Sequence, residues 1–155
     1  QSCIAAKRFI VVKSIEKEFI ELFKQEMAEK IMGDPIDKNT DIGPQARPDL
    51  RDELHQQVMK SIKLGANCIL GGEIPAGVHS FYPPTILTEV KKGMPAYEEE
   101  LFGPVAAIIS ASDEEDAIRR NGVRLCEIEL PETFAVDQLS VLHDAKGESG
   151  WSELR

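Results

Sequence analysis

Two places in the chain hold residue types that could do chemistry as well as fill space. One is the octet Glu98-Glu-Glu-Leu-Phe-Gly-Pro-Val105, where three carboxylates lead into an apolar pair and a Gly-Pro step. The other is Cys3, with Lys7 and Arg8 close behind it. The Gly-Pro step bends the backbone into the apolar run Val105-Ala-Ala-Ile-Ile109, which has buried-strand character, so Glu100 and Phe102 fall on a turn at the mouth of a strand. Ligand-binding groups gather at such positions, because a rigid sheet aims them and the loop leaves them accessible. The plainer alternative is a solvated acidic turn with Phe102 packed beneath it. For Cys3, the thiolate is the nucleophile, and cations such as Lys7 and Arg8 can lower a thiol's pKa. Its plainer alternative is an inert free cysteine near a chain end.

Other chemistries are missing from the pattern. His55, His79 and His143 share no zinc-site spacing with one another or with a cysteine, and there is no Cys-x-x-Cys. No metal site is expected, and each histidine reads as a surface or packing residue. There is no phosphate-cradling glycine loop with lysine and no Gly-x-Ser-x-Gly elbow. The chain has 155 residues, enough for one domain with a real core, and 42% of them are hydrophobic. No apolar run approaches the ~20 residues of a membrane-spanning helix, so no membrane partner is expected. With 18 basic and 27 acidic residues the formal charge is -9, which repels phosphate backbones and argues against a nucleic-acid partner. Cys3, Cys68 and Cys126 are scattered and odd in number, which fits a reducing, cytoplasmic setting better than a disulfide framework. The chain opens on Gln1 with no methionine or signal-like stretch, and the expectation is a start inside something larger or a trimmed end.

The elements that must position Cys3 and the octet can be read in order. Phe9-Ile-Val-Val12 is a β-branched run and predicts a buried strand. Ser14 is placed to cap a helix whose apolar positions Ile15, Phe19, Leu22, Phe23, Met27 and Ile31 recur at helical spacing, with Gly33 as its stop. The stretch 33–47 is too firmly punctuated by Gly and Pro for helix or strand. Pro48 opens a second helix with a stripe of Leu50, Leu54, Val58 and Ile62, ended by Gly65. Asn67-Cys-Ile-Leu70 then reads as a strand with a Gly71-Gly72 turn, and Tyr82 to Leu87, interrupted by Pro83-Pro84, as an edge or irregular strand. Ser112-Asp-Glu-Glu115 predicts a capping box and a helix to about Arg120. The alternation predicts an α/β domain with a mostly parallel sheet flanked by helices.

Taken together, Gln1-Ser-Cys-Ile-Ala-Ala-Lys-Arg8, Gly33-Asp-Pro, Ile42-Gly-Pro, Gly71-Gly72, Tyr82-Pro-Pro-Thr-Ile-Leu87 and Glu100-Leu-Phe-Gly-Pro-Val105 resemble the NAD(P)-dependent aldehyde dehydrogenase superfamily in order and spacing. Ala5-Ala-Lys-Arg, Ala46-Arg-Pro-Asp-Leu-Arg-Asp-Glu-Leu-His55 and Gly103-Pro-Val-Ala-Ala are most similar to the bacterial succinate-semialdehyde dehydrogenases. The resemblance runs from Gln1 to about Asn121. It implies part of that family's catalytic domain, with Cys3 as nucleophile, Glu100 binding a ribose hydroxyl of NAD or NADP, and Phe102 beside the nicotinamide ring. It further implies a small aldehyde substrate, succinate semialdehyde above all, and a homo-oligomeric complete enzyme. Cys68 and Cys126 match no functional position.

The departures set two further expectations. The family's dinucleotide-binding domain, general-base glutamate and oxyanion asparagine would lie upstream of Gln1, so the chain by itself is expected not to turn over. A non-catalytic remnant of the fold is the competing reading. Residues 122–155 do not follow the family pattern, and their polar, Gly-interrupted character makes a poorly ordered second region the expectation.

Overall fold

The computed structural model describes residues 5–77 and 79–121. Cys3, Cys126, His143 and the stretch 122–155 lie outside the described residues, and with them the reading of a divergent tail. The described chain runs β1 (Arg8–Val12), α1 (Glu16–Ala28), α2 (Pro48–Lys63), β2 (Asn67–Leu70), β3 (Thr85–Thr88), α3 (Pro95–Glu98), β4 (Val105–Ala111) and α4 (Glu114–Asn121). The strands form one sheet in the order β1-β4-β3-β2. β4 pairs in parallel with both β1 and β3, while β2 joins β3 antiparallel, so the α/β expectation holds with one reversed strand.

The continuous apolar stretch of β4 is explained by burial on both faces, where a strand has no polar side to alternate with. Val105, Ala107 and Ile109 meet Leu54 and Val58 of α2 in one core. Ala106 and Ile108 meet Phe19, Phe23 and Met27 of α1 in a second core on the other face. The two long helices thus cover opposite faces of the sheet. In the second core Phe19 and Phe23 stack with ring centroids 5.4 Å apart, and Phe9 of β1 packs against Phe23 at 4.9 Å.

Several expected boundaries move, each for a local reason. Residue Ile15, not Ser14, occupies the N-cap of α1, and no side chain caps that end. The same helix stops at Ala28, short of the apolar Ile31, because the backbone of Ile31 is engaged elsewhere. Its N–H donates to the Asp41 carboxylate at 2.8 Å, and its carbonyl accepts from the amides of Asp41 and Ile42. This pins the long connection back on itself through a single bridge, Met32 to Ile42. Strand β3 is interior, between β4 and β2, which corrects the edge-strand expectation. Pro83 and Pro84 sit just ahead of its first residue, where a missing N–H costs no ladder bond. Gly71 has φ +65, and a Cβ there would lie 2.2 Å from the Pro84 carbonyl oxygen, so this turn admits no side chain. The cap of α4 is Asp113, whose carboxylate accepts the Asp116 N–H at 2.8 Å, one residue later than the box read from Ser112.

Candidate active site at the amino edge of the sheet

Because β1 and β4 are parallel neighbours, with Arg8 opposite Ala107, the segments that lead into them reach the sheet at the same edge. One segment is residues 5–7, which follow Cys3. The other is the turn that carries Glu100 and Phe102. The Ala107 N–H donates to the Lys7 carbonyl at 2.8 Å, which joins the first segment to β4 one residue before β1 begins. A cleft of about 600 Å³ opens at this edge, and its lining includes Ala5, Ala6, Lys7, Gln45, Phe102 and Gly103.

The octet is built from a short element that the sequence reading missed. Pro95 opens the single turn α3 after extended Met94, a position where proline's missing N–H and fixed φ suit a helix start. Past α3, Leu101 and Phe102 diverge. Leu101 is fully buried, while Phe102 is 45% exposed, which overturns the alternative of Phe102 packed beneath the turn. Two successive tight bonds, Gly103 N–H to the Leu101 carbonyl at 2.9 Å and Val105 N–H to the Gly103 carbonyl at 2.8 Å, swing the Phe102 ring outward. The Lys7 Nζ stands 5.9 Å from the centre of that ring. Gly103 lets the turn close: a Cβ there would lie 2.3 Å from Gln45 Nε2 and 2.4 Å from Leu54 Cδ2. Gln45 is itself buried, and its Nε2 has no hydrogen-bond partner among the described residues.

The three carboxylates of the octet have different roles, which composition could not separate. Glu98 Oε1 accepts the Gly93 N–H at 2.9 Å and closes the loop ahead of α3. Glu99 Oε2 accepts from Gln57 Nε2 at 2.9 Å. Glu100 is exposed, and its carboxylate accepts no hydrogen bond among the described residues. Of the three, the carboxylate of Glu100 is thus the one that no hydrogen bond among the described residues engages. It stands at the same edge as the exposed aromatic ring. Lys7 and Arg8 also part company: Arg8 Nη1 donates to the Tyr97 carbonyl at 2.8 Å, while Lys7 reaches toward Phe102.

The remaining candidates have packing partners. His55 Nδ1 and the hydroxyl of the buried Tyr82 are 3.2 Å apart, and burial pushes the Tyr82 pKa well above its usual range. The His79 ring meets Phe81 edge-on at 5.9 Å. Burial also raises the Cys68 thiol pKa, and its Sγ donates to the Leu70 carbonyl. Among the described residues no group of three His, Cys, Asp or Glu side chains converges as a metal site would require. Among them, too, no helix is long and apolar enough to cross a membrane.

The fold and this edge define a segment of an α/β domain in which one turn presents an exposed carboxylate and an exposed aromatic ring, the ring lining a cleft. The family description "Aldehyde dehydrogenase family" matches residues 1–123, and the chain belongs to that family. It is 52% identical over 118 residues to the succinate semialdehyde dehydrogenase [NAD(P)+] Sad of Escherichia coli K12, covering 76% of this chain and 26% of that protein. It is 45% identical over the same length to succinate-semialdehyde dehydrogenase [NADP(+)] 1 of Mycobacterium ulcerans, again covering 76% of this chain and 26% of the relative. Among solved structures, the succinic semialdehyde dehydrogenase of Streptococcus pyogenes in complex with NADP+ superposes with a TM-score of 0.75 at 33% identity, covering 78% of this chain and 27% of that one. The chain thus spans about a quarter of the length of the relatives it matches.

Proposed function

We propose that this chain supplies the nucleophile loop and the nicotinamide-end grip of an NAD(P)-dependent enzyme that oxidises a small aldehyde, succinate semialdehyde, to the carboxylic acid. The observation that carries this reading is a single turn that presents both an exposed, unengaged Glu100 carboxylate and an exposed Phe102 ring, the ring lining a cleft together with the segment that follows Cys3. An ionised carboxylate can accept two hydroxyl donors, as a ribose diol offers, and an exposed aromatic face can pack against a flat ring. Two residues of chain, about 7 Å at full extension, separate Cys3 from the cleft-lining Ala5. The names of the relatives, two of which specify NADP(+) or NAD(P)+, support the same cofactor class.

When bound, the cofactor would supply the hydride acceptor. The Cys3 thiolate adds to the aldehyde carbon, forming the C–S bond and leaving a thiohemiacetal oxyanion, toward which the cysteine's own N–H can donate. Loss of hydride from that carbon gives the thioester, and water then cleaves the C–S bond to release the acid and the thiol. Residues 1–121 form the catalytic-domain portion in this reading. A cytoplasmic setting and a homo-oligomeric complete enzyme go with it.

The test is a full-length aldehyde dehydrogenase carrying this segment, assayed with succinate semialdehyde. Cys3→Ala should abolish cofactor reduction, and Glu100→Gln should raise the KM for NAD(P) while leaving the KM for the aldehyde near its starting value. Activity that survives Cys3→Ala would overturn the assignment.

A further inference from the structure

We infer that the half-buried Gln57 of α2 is a positioning residue for the cofactor grip: it holds the turn that carries Glu100 and Phe102 in its open geometry. The inference rests on the cofactor reading of Glu100 and deepens it. Gln57 lies 43 positions before Glu100 in sequence, yet its Nε2 donates both to the Glu99 carboxylate, at 2.9 Å, and to the Glu100 backbone carbonyl, at 3.2 Å. These two acceptors bracket the Glu99–Glu100 peptide link. One amide group therefore restrains the backbone at the residue that would meet the ribose, through its own carbonyl and the side chain just before it.

The same helix fixes the start of the element. One turn further along α2, the fully buried Ser61 accepts the Ala96 N–H through its Oγ at 2.9 Å, and its hydroxyl donates to the Gln57 carbonyl at 2.8 Å. Residues 96 to 100 are thus held at both ends by one face of a 16-residue helix, which is itself anchored in the core by Leu54 and Val58. The bond to Glu99 also has an electrostatic effect. It draws the Glu99 carboxylate onto the α2 side, away from its neighbour, so the only carboxylate of the octet left without a partner among the described residues is that of Glu100. Ser61 and Gln57 differ in kind. Ser61 is buried and serves stability, whereas Gln57 is only half-buried and acts where a ligand group would dock.

The experiment uses a full-length aldehyde dehydrogenase carrying this segment, with steady-state kinetics and thermal melting of four variants: Gln57→Ala, Gln57→Lys, Glu99→Gln and Glu100→Gln. Gln57→Ala should raise the KM for NAD(P) about three- to tenfold, the size of one partly exposed hydrogen-bond pair lost, with the aldehyde KM and the melting temperature little changed. Gln57→Lys keeps a donor for both acceptors and should restore most of the cofactor KM. Glu99→Gln keeps an acceptor and should stay close to the parent. A raised cofactor KM in Glu100→Gln with none in Gln57→Ala would overturn the positioning role and leave the cofactor reading standing. No change in either variant would overturn both. A Gln57→Ala variant that loses melting temperature and both KM values together, without rescue by Gln57→Lys, would show a merely structural residue and also overturn the inference.

Discussion

Arg8 Nη1 donates to the Tyr97 carbonyl at 2.8 Å, joining residues 89 positions apart and tying the first residue of β1 to the helical turn just before Glu100. The bond links the two segments that meet at the sheet edge: the one that follows Cys3 and the one that presents Glu100 and Phe102. Arg8→Met should therefore act locally. The bond is exposed, so water can take over the Tyr97 carbonyl, and the expected loss of stability is about 0.5–1.5 kcal/mol, the usual net value of such a bond. Amide exchange should quicken over residues 96 to 103 while Ile108 and Ile109 in the core keep their protection. Equal loss of protection in the turn and in β4 would show that Arg8 supports the sheet generally and does not couple the two segments.

Much of this arrangement was legible in the sequence because its signals are local and strong. The β-branched run at Phe9, the Pro48 helix start and the doubly buried β4 all carry their own period or punctuation. What stayed hidden depends on partners far away in sequence. Nothing around Ile31 announces that Asp41 will take its amide and end α1 early. Nor does the run Glu98-Glu99-Glu100 say which carboxylate stays open, since that is decided by Gly93 and by Gln57 on another helix. The need for glycine at 103 was equally invisible, because it arises from close approach to Gln45 and Leu54 and not from backbone conformation. Pro83-Pro84 misled for a related reason. They disfavour a strand only where their missing N–H groups would have been needed, and β3 starts one residue later.

A second prediction concerns acid. The Asp116 carboxylate accepts from the Arg120 guanidinium at 2.9 Å and from the Ser112 N–H at 3.0 Å, and these bonds hold its pKa down to about 2, below the ordinary 3.8. A carboxylate whose folded value is depressed stabilises the fold above the unfolded value, and that stabilisation is lost as pH falls through the folded one. Helix α4 should therefore loosen between about pH 4 and pH 2. Amide protection of residues 116 to 120, followed by NMR across that window, should fall, and Asp116→Asn should remove the step and leave the helix equally weak at pH 7. Persistence of the step in Asp116→Asn would assign it to other carboxylates.

The last prediction separates reactivity from turnover in the chain as it stands. Burial raises the Cys68 thiol pKa, and its Sγ is engaged with the Leu70 carbonyl, so at neutral pH it should carry little thiolate. Cys3, in contrast, precedes the cleft-lining Ala5 by two residues and Lys7 by four in sequence, and a neighbouring cation would favour its thiolate. Iodoacetamide at pH 7 should therefore label Cys3 ahead of both Cys68 and Cys126, with the order read by peptide mass spectrometry. Labelling should not imply catalysis. Hydride transfer needs donor and acceptor about 3 to 3.5 Å apart, which requires the whole cofactor to be held, and Glu100 with Phe102 would grip only its nicotinamide end. The 155-residue chain, which spans about a quarter of its relatives' length, should thus show no reduction of NAD or NADP with succinate semialdehyde. Preferential labelling of Cys68 would remove the ground for Cys3 as nucleophile, and turnover by the 155 residues that survives Cys3→Ala would place the chemistry elsewhere in the chain.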